Sequence, residues 1–323
     1  MSHFPFPRLP YGWYLASSSA EILPGVTRSF RYFGEELVLY RSAAGVAHAV
    51  EAHCPHLGAH LGEGGCVEGD SLRCPFHGWR FGADGRCVEV PYSTARTLPR
   101  VGLRTWPVEE KGGFVFVWHD PDGGAPAWTI PDFESEGWTA RRVADFSLRS
   151  HPQELMENTA DIAHFGHLHR ARNHRYLRDW TAHGPLAETT IAFSASGAAI
   201  GAPVDFIDLE INFSLHGLGY LVIDSHVPEA NVHGRIRVCA TPVDEDHVRV
   251  FFIANVKELG DPAFTSMVDT LFFEAARSDF EQDLRIWRNK VYRARPLVVP
   301  GDGPILSYRR WASQFYAPRA AAG

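Results

Sequence analysis

Residues 54–77 read CPHLGAHLGEGGCVEGDSLRCPFH, and this stretch decides the fold of the first part of the chain. Its two ends, Cys54-Pro55-His56 and Cys74-Pro75-Phe76-His77, each offer one thiolate and one imidazole. Seventeen residues separate His56 from Cys74. Two thiolates can hold one iron of a [2Fe–2S] cluster and two imidazoles the other. The same donors could close on a single zinc. A zinc finger continues into a recognition helix, however, and nothing helical follows here. Gly58, Gly62, Gly64 and Gly65 lie between the two pieces and Gly78 follows the second, which suits two loops folded tightly around a cluster. Scattered structural Cys and His residues would have to coincide as two matched pairs to produce this pattern.

Outward from this stretch, the first third of the chain alternates short apolar runs with Gly- and Pro-rich turns. Leu37–Tyr40, Val46–Val50 and Phe114–Trp118 read as strands. The segment Asp120–Ile130 (DPDGGAPAWTI) is dense in Gly, Pro and Asp and marks a boundary. The expected division is 1–125 and 126–323. The 323 residues carry a net charge of −7 and are 45% hydrophobic, as in an ordinary globular protein. That balance offers no basic patch for nucleic acid or an anionic membrane. No apolar run reaches the roughly 18 residues a transmembrane helix needs, and MSHFPFPRLPYGWY does not read as a secretory signal. A cytoplasmic location is expected. The five cysteines are too few for a disulfide scaffold, and Cys66, Cys87 and Cys239 read as structural.

The second part begins with a predicted helix from about His151 to Ala163. Alternating runs from about Ala187 to Val256 predict an antiparallel sheet. A helix over about Phe264–Tyr292 follows, with Leu271, Phe272, Ala275, Ala276, Phe280, Ile286 and Trp287 as its apolar stripe. Asn158–His169 reads NTADIAHFGHLH, with three histidines and an aspartate among apolar neighbours. Two histidines and one carboxylate form the usual site for an Fe(II) that activates O2. Asp161 and His164 are three apart and share a helical face. His167 shares that face too, whereas His169 lies about 140° round an ideal helix from His164. His169 can join His164 only if the helix distorts or ends between them, with Gly166 as the natural place. The carboxylate should come from far along the chain. Asp283 sits on the apolar stripe of the late helix, where an unpaired charge is costly. Asp279 is the alternative one turn earlier, and an ion pair of Asp283 with Arg285 or Arg288 is the bland one.

CPHLGAHLGEGG and CPFHGWRF resemble the two cluster loops of Rieske proteins. Respiratory Rieske proteins carry extra loop cysteines and hydroxyls; Ala59, Phe76, Trp79 and Phe81 stand there instead, which implies a low-potential cluster of the oxygenase type. Asp161, His164 and His169 match the Asp-x2-His-x4-His pattern of Rieske non-haem iron oxygenases. By that resemblance His164 and His169 hold a mononuclear Fe(II), and Asp161 links His164 to a cluster histidine of a neighbouring subunit. Asn158 matches a polar position near the iron. Gln282–Trp287 (QDLRIW) resembles the late ligand motif of the ketosteroid-hydroxylase branch, which implies Asp283 as the third ligand. PYGWY near the start, TPVDEDHVRV (241–250) and RRWASQFY (309–316) are similar to the branch of 3-ketosteroid 9α-hydroxylases and cholesterol 7-desaturases.

The resemblance implies an α+β chain, with an all-β Rieske domain followed by a helix-grip (START-like) catalytic domain built on a curved antiparallel sheet. It implies a homotrimeric terminal oxygenase that hydroxylates or desaturates an apolar, steroid-like or polycyclic substrate with O2. No nucleotide-binding fingerprint is present, so electrons would come from an external NAD(P)H-dependent reductase or ferredoxin. Phe206, Ile211, Phe213, Leu215, Leu221, Ile223 and Phe251 are the candidate pocket residues. The competing readings are a Rieske oxygenase of a non-steroid small molecule and a Rieske electron-transfer protein without oxygenase chemistry.

Overall fold

Trp13–Asp132 form one compact unit of the computed structural model, and Met1–Gly12 with Phe133–Arg319 form the other. The structure describes residues 4–132, 136–197 and 204–319.

The first unit is built on three small sheets, with a single 3-10 turn at Ser19–Glu21 among its described residues. Strands β1 (Gly12–Ser18), β10 (Val108–Lys111) and β11 (Phe114–His119) make a sheet in the order β1-β11-β10. A second sheet runs β2 (Thr27–Tyr32), β3 (Glu35–Arg41), β4 (Ala47–Glu51) and β9 (Thr105–Trp106). The third, β5 (Cys66–Glu68), β6 (Ser71–Arg73), β7 (Arg80–Phe81) and β8 (Cys87–Glu89), is made of very short strands. Val38, Tyr40, Val50, Leu61, Leu72 and Phe81 share one buried cluster with Cys54 and Cys74. Both predicted cluster loops are therefore rooted in the core of this unit.

The second unit is built on a seven-stranded antiparallel sheet. In order it runs β12 (Arg142–Arg149), β18 (His247–Val256), β17 (Val232–Pro242), β16 (Tyr220–Val227), β15 (Phe206–His216), β14 (Leu186–Ser196) and β13 (Arg172–His183). Helix α3 (Pro262–Trp287) packs on one face, its Phe280 ring 5.2 Å from Phe252 and 5.7 Å from Phe146. Asp261 caps it by accepting the Phe264 amide at 2.7 Å. Its buried stripe is Phe273, Phe280, Leu284 and Trp287, with Asp269 and Asp283. Leu271 and Ile286 of the predicted stripe are exposed instead, because the sheet meets the helix on a face slightly rotated from the one composition alone suggests.

The cross-strand register separates the candidate pocket residues. Phe213 pairs with Ile223, Leu215 with Leu221, Leu221 with Val238, and Val238 with Phe252, so these share the face that carries α3. Phe206 and Phe251 fall on the other face by the same alternation. Arg172 lies over the Phe206 ring and Arg249 over that of Phe251. Those two are corrected from the pocket.

The predicted helix over 151–163 is broken into three pieces. Helix α1 (Pro152–Met156) continues into a 3-10 turn at Glu157–Thr159, and helix α2 (Ala163–His167) follows after a gap. The gap is held from outside, since Gly303 (φ +93°) comes so close that a Cβ there would meet the Ala160 carbonyl at 2.2 Å.

Gly234 of β17 supports the sheet–helix contact in the same way. A Cβ there would meet the Phe272 ring at 2.3 Å. Gly234→Ala is expected to cost about 1–3 kcal/mol by overpacking, read as a lower unfolding midpoint; an unchanged midpoint would mean that α3 can lift freely.

Candidate metal centres

The two loops of the first unit are built alike. The Cys54 amide donates to the Ala59 carbonyl (2.9 Å), and the Gly58 amide donates to the Cys54 carbonyl (2.9 Å). The Cys74 amide donates to Trp79 (2.8 Å), and the Gly78 amide donates to Cys74 (3.1 Å). Gly58 and Gly78 both turn back with positive φ, +76° and +73°, a conformation that costs glycine little. The histidine stands at the third position of the first loop and the fourth of the second. The His56 and His77 ring centroids come within 4.8 Å. Trp79 stacks on His56 at 4.5 Å and donates to the Tyr92 hydroxyl at 2.9 Å, so it orients that imidazole.

Cys54 and Cys74 are buried free thiols, while His56 and His77 are half-buried at the outer end. Burial first, and then the neighbouring Cys74 thiol, push Cys54 up to about 11. A thiol in that setting loses its proton to solvent readily only when a metal replaces it on the sulfur. Two adjoining buried sulfurs and two outward imidazoles are the donor set that would hold a [2Fe–2S] cluster.

In the second unit the ligand atoms of His164, His169 and Asp283 all lie within 4.8 Å of one another. Helix α2 ends at His167, and His169 lies beyond its C-cap Leu168, which frees it from the helical period. His167 is exposed and lies outside the group. Asp279 is also outside it; its carboxylate accepts from Gln282 at 3.1 Å. The three grouped side chains are largely buried, at 14%, 10% and 12% exposure.

The supporting contacts order this group. His164 Nδ1 lies 2.5 Å from the Asp161 carbonyl oxygen, so this nitrogen carries the proton and Nε2 keeps its lone pair for a metal. The His164 amide donates to Asp161 Oδ1 at 3.2 Å. Burial acts to raise the Asp161 carboxyl, but hydrogen bonding from His164 outweighs it and holds the group below its ordinary value. Asn158 Nδ2 donates to Asp283 Oδ1 at 3.0 Å, and His169 Nε2 lies 3.5 Å from that oxygen. Two imidazoles and one carboxylate in this reach can hold a divalent metal on one face and leave other positions open.

Three contributions were not legible in sequence. Trp79 is an aromatic next to a glycine, with no signal of its stacking. His174 packs against Gly166, where a Cβ would meet its ring at 2.9 Å, so that glycine serves close approach as well as helix ending. The Tyr176 hydroxyl is pushed up to about 12 by burial and then by Asp161. Only the electrostatic neighbourhood of Asp161 reveals it.

The model of the 3-ketosteroid 9α-hydroxylase C-terminal domain matches residues 117–316. The Rieske [2Fe–2S] domain matches residues 12–107. A cholesterol 7-desaturase of Xenopus laevis is 32% identical over 96% of this chain and 72% of its own length. A probable 3-ketosteroid-9-alpha-monooxygenase oxygenase component of Rhodococcus rhodochrous is 28% identical over 97% of this chain and 81% of its own. Among solved structures, dicamba monooxygenase bound to dicamba superposes with a TM-score of 0.74 at 21% identity, covering 94% of this chain and 96% of that one. NdmA of Pseudomonas putida CBB5 with caffeine gives 0.73 at 17% identity over 94% and 90%. These two show the shared fold. Among the described residues no helix is long and apolar enough to cross a membrane.

Proposed function

The chain belongs to the Rieske oxygenases of the 3-ketosteroid 9α-hydroxylase and cholesterol 7-desaturase family, and from that premise we propose that it hydroxylates or desaturates an apolar, steroid-like or polycyclic molecule. As an oxygenase component it works with O2 and a reductase or ferredoxin. The observation that carries the reading is the convergence of His164, His169 and Asp283 beside an apolar sheet face. Phe165 of α2 lies 5.4 Å from Phe193 and 6.4 Å from Phe213, so this metal-binding turn rests on the face that also presents Ile223 and Leu221. An apolar substrate held there is desolvated next to the reacting position.

His164, His169 and Asp283 would hold a mononuclear Fe(II), and Cys54, His56, Cys74 and His77 the cluster. When bound, the cluster supplies single electrons and the iron supplies O2 activation. Asn158 orients Asp283 through its 3.0 Å hydrogen bond. Asp161 fixes His164 and keeps a carboxylate that is 36% exposed, open to a histidine of another copy. On this reading Asp161 is the bridging carboxylate, the chain assembles as a trimer, and the electron donor depends on NAD(P)H. The Rieske part would span 1–125 and the catalytic part 126–323. The five free thiols suit the reducing cytoplasm.

The family also offers a non-steroid reading, since the fold is shared with oxygenases of smaller molecules and fold does not fix substrate. A panel of steroids, polycyclic compounds and small aromatics, turned over with a surrogate reductase and followed by mass spectrometry, decides between them. Turnover of small aromatics alone would overturn the steroid-like reading.

Asp161→Asn keeps the shape of the side chain and removes its charge. It is expected to slow single turnover by about 10–100-fold, the usual effect of changing a ligand's hydrogen-bonding partner. Iron content and the cluster spectrum should be retained. Unchanged single-turnover rates would sink the bridging role.

A further inference from the structure

We propose that Glu36, His53 and His60 form an additional site for a divalent transition-metal ion, of the zinc type, at the base of the first cluster loop. Their ligand atoms lie within 4.8 Å of one another. His53 and His60 face each other across an isolated antiparallel bridge. The flanking hydrogen bonds, from the Leu61 amide to Ala52 (2.7 Å) and from the Cys54 amide to Ala59 (2.9 Å), make this a non-hydrogen-bonded pair. In such a pair the Cα atoms approach to about 4.5 Å and the side chains project together. The two rings meet edge to face at 5.1 Å between centroids. Glu36 comes from β3, whose carbonyl there accepts the Ala52 amide at 3.1 Å. Its Oε2 lies 3.6 Å from His53 Nε2. Backbone pairing thus sets all three donors before any metal arrives.

Two imidazoles and a carboxylate are a zinc donor set that leaves a fourth position to water. Imidazole donors also suit copper and nickel, whereas magnesium and calcium prefer all-oxygen sites. A bare contact between His53 and Glu36, both about half exposed, would contribute little by itself; the third donor and the shared face distinguish a site from a surface pair. One interaction competes. The Gly62 amide donates to His60 Nδ1 at 3.1 Å, which places the ring proton on Nε2. Capture of a metal by Nε2 moves that proton to Nδ1 and gives up this hydrogen bond, so the site is weaker than a closed structural zinc site. Its position is what gives it consequence. His53 and His60 are the two feet of the loop that carries Cys54 and His56, so an ion bridging them ties the loop at its base.

The test uses protein loaded with both cluster and iron, dialysed against micromolar Zn2+ and then analysed for zinc and iron. One zinc per chain is expected beyond the unchanged iron. Glu36→Gln, His53→Ala and His60→Ala should each weaken that uptake by about tenfold or more, since even a ligand's outer partners are worth about 10–100-fold. His226→Ala, at a histidine pair elsewhere on the molecule, should leave it intact. Cluster absorbance reports whether the loop survives. If the histidine variants lose the cluster, Glu36→Gln, on a strand outside the loops, decides alone. No added zinc, zinc taken up equally by wild type and Glu36→Gln, or zinc gained only as iron is lost would each overturn the site.

Discussion

Asp283→Ala is expected to lower product formation by more than about 100-fold, because even the outer partners of a metal ligand are worth about 10–100-fold. The visible spectrum of the cluster should not change, since Cys54 and Cys74 lie in the core of the other compact unit. The variant removes one of three donors and strands the Asn158 amide that now donates to Asp283 at 3.0 Å. It also removes the acceptor facing His169 Nε2. Burial lowers the affinity of His169 for a proton, and the hydrogen bond to Asp283 more than restores it, leaving the group above its ordinary value. Loss of the carboxylate therefore removes the larger of the two counter-charges, Asp283 and Asp279, that act on this buried imidazole. Iron content per chain and product by mass spectrometry are the measurements. Asp279→Ala serves as the comparison, because its carboxylate accepts from Gln282 at 3.1 Å and lies outside the three-donor group. Full iron and activity in Asp283→Ala, with loss in Asp279→Ala, would transfer the role to Asp279.

Arg309→Ala is expected to destabilise the second unit strongly. Arg309 Nε and Nη2 donate to the two oxygens of Glu157 at 2.6 and 2.9 Å. The side chains are only 14% and 9% exposed. The guanidinium also lies 4.6 Å over the Tyr292 ring. Breaking such a pair leaves a buried carboxylate alone, at about 3–5 kcal/mol. A Glu157→Gln change beside it relieves that stranded charge, so the double variant should be more stable than the sum of the singles. Urea unfolding followed by circular dichroism measures both. Additive losses would show that the pair is not coupled. The consequence reaches the proposed metal-binding turn, because Glu157 precedes Asn158, and Tyr308 of helix α4 (Ile305–Ala312) donates to the Gln153 carbonyl at 2.7 Å. The C-terminal helix thereby holds α1 and the 3-10 turn that present Asn158.

The contrast between these two predictions follows from how each group is encoded. Asp283 could be singled out in sequence because a charge on an apolar stripe needs a partner. Nothing near Glu157 announces Arg309, which lies 152 residues away. The late helix was legible from its period, yet the exposure of Leu271 and Ile286 was not. That exposure depends on the angle at which the sheet meets the helix. The broken helix over 151–163 was invisible for a similar reason: its gap is set by the approach of Gly303 from a distant loop.

By itself the sequence determined the first cluster loop, the second, and the all-β character around them. Those features are local: Cys, Pro, His and Gly at fixed offsets specify two tight turns whatever lies outside them. It also marked His164, His167, His169, Asp279 and Asp283 as candidate metal donors, but helical spacing alone favoured His167. Only the tertiary structure decided which of them converge. Helix α2 stops at His167 and turns that ring outward, so that His169 swings to His164, while the seating of α3 on Phe252 and Phe146 presents Asp283 to both. Convergence of distant donors is a property of packing, and packing is set by the sum of many weak apolar contacts rather than by any motif.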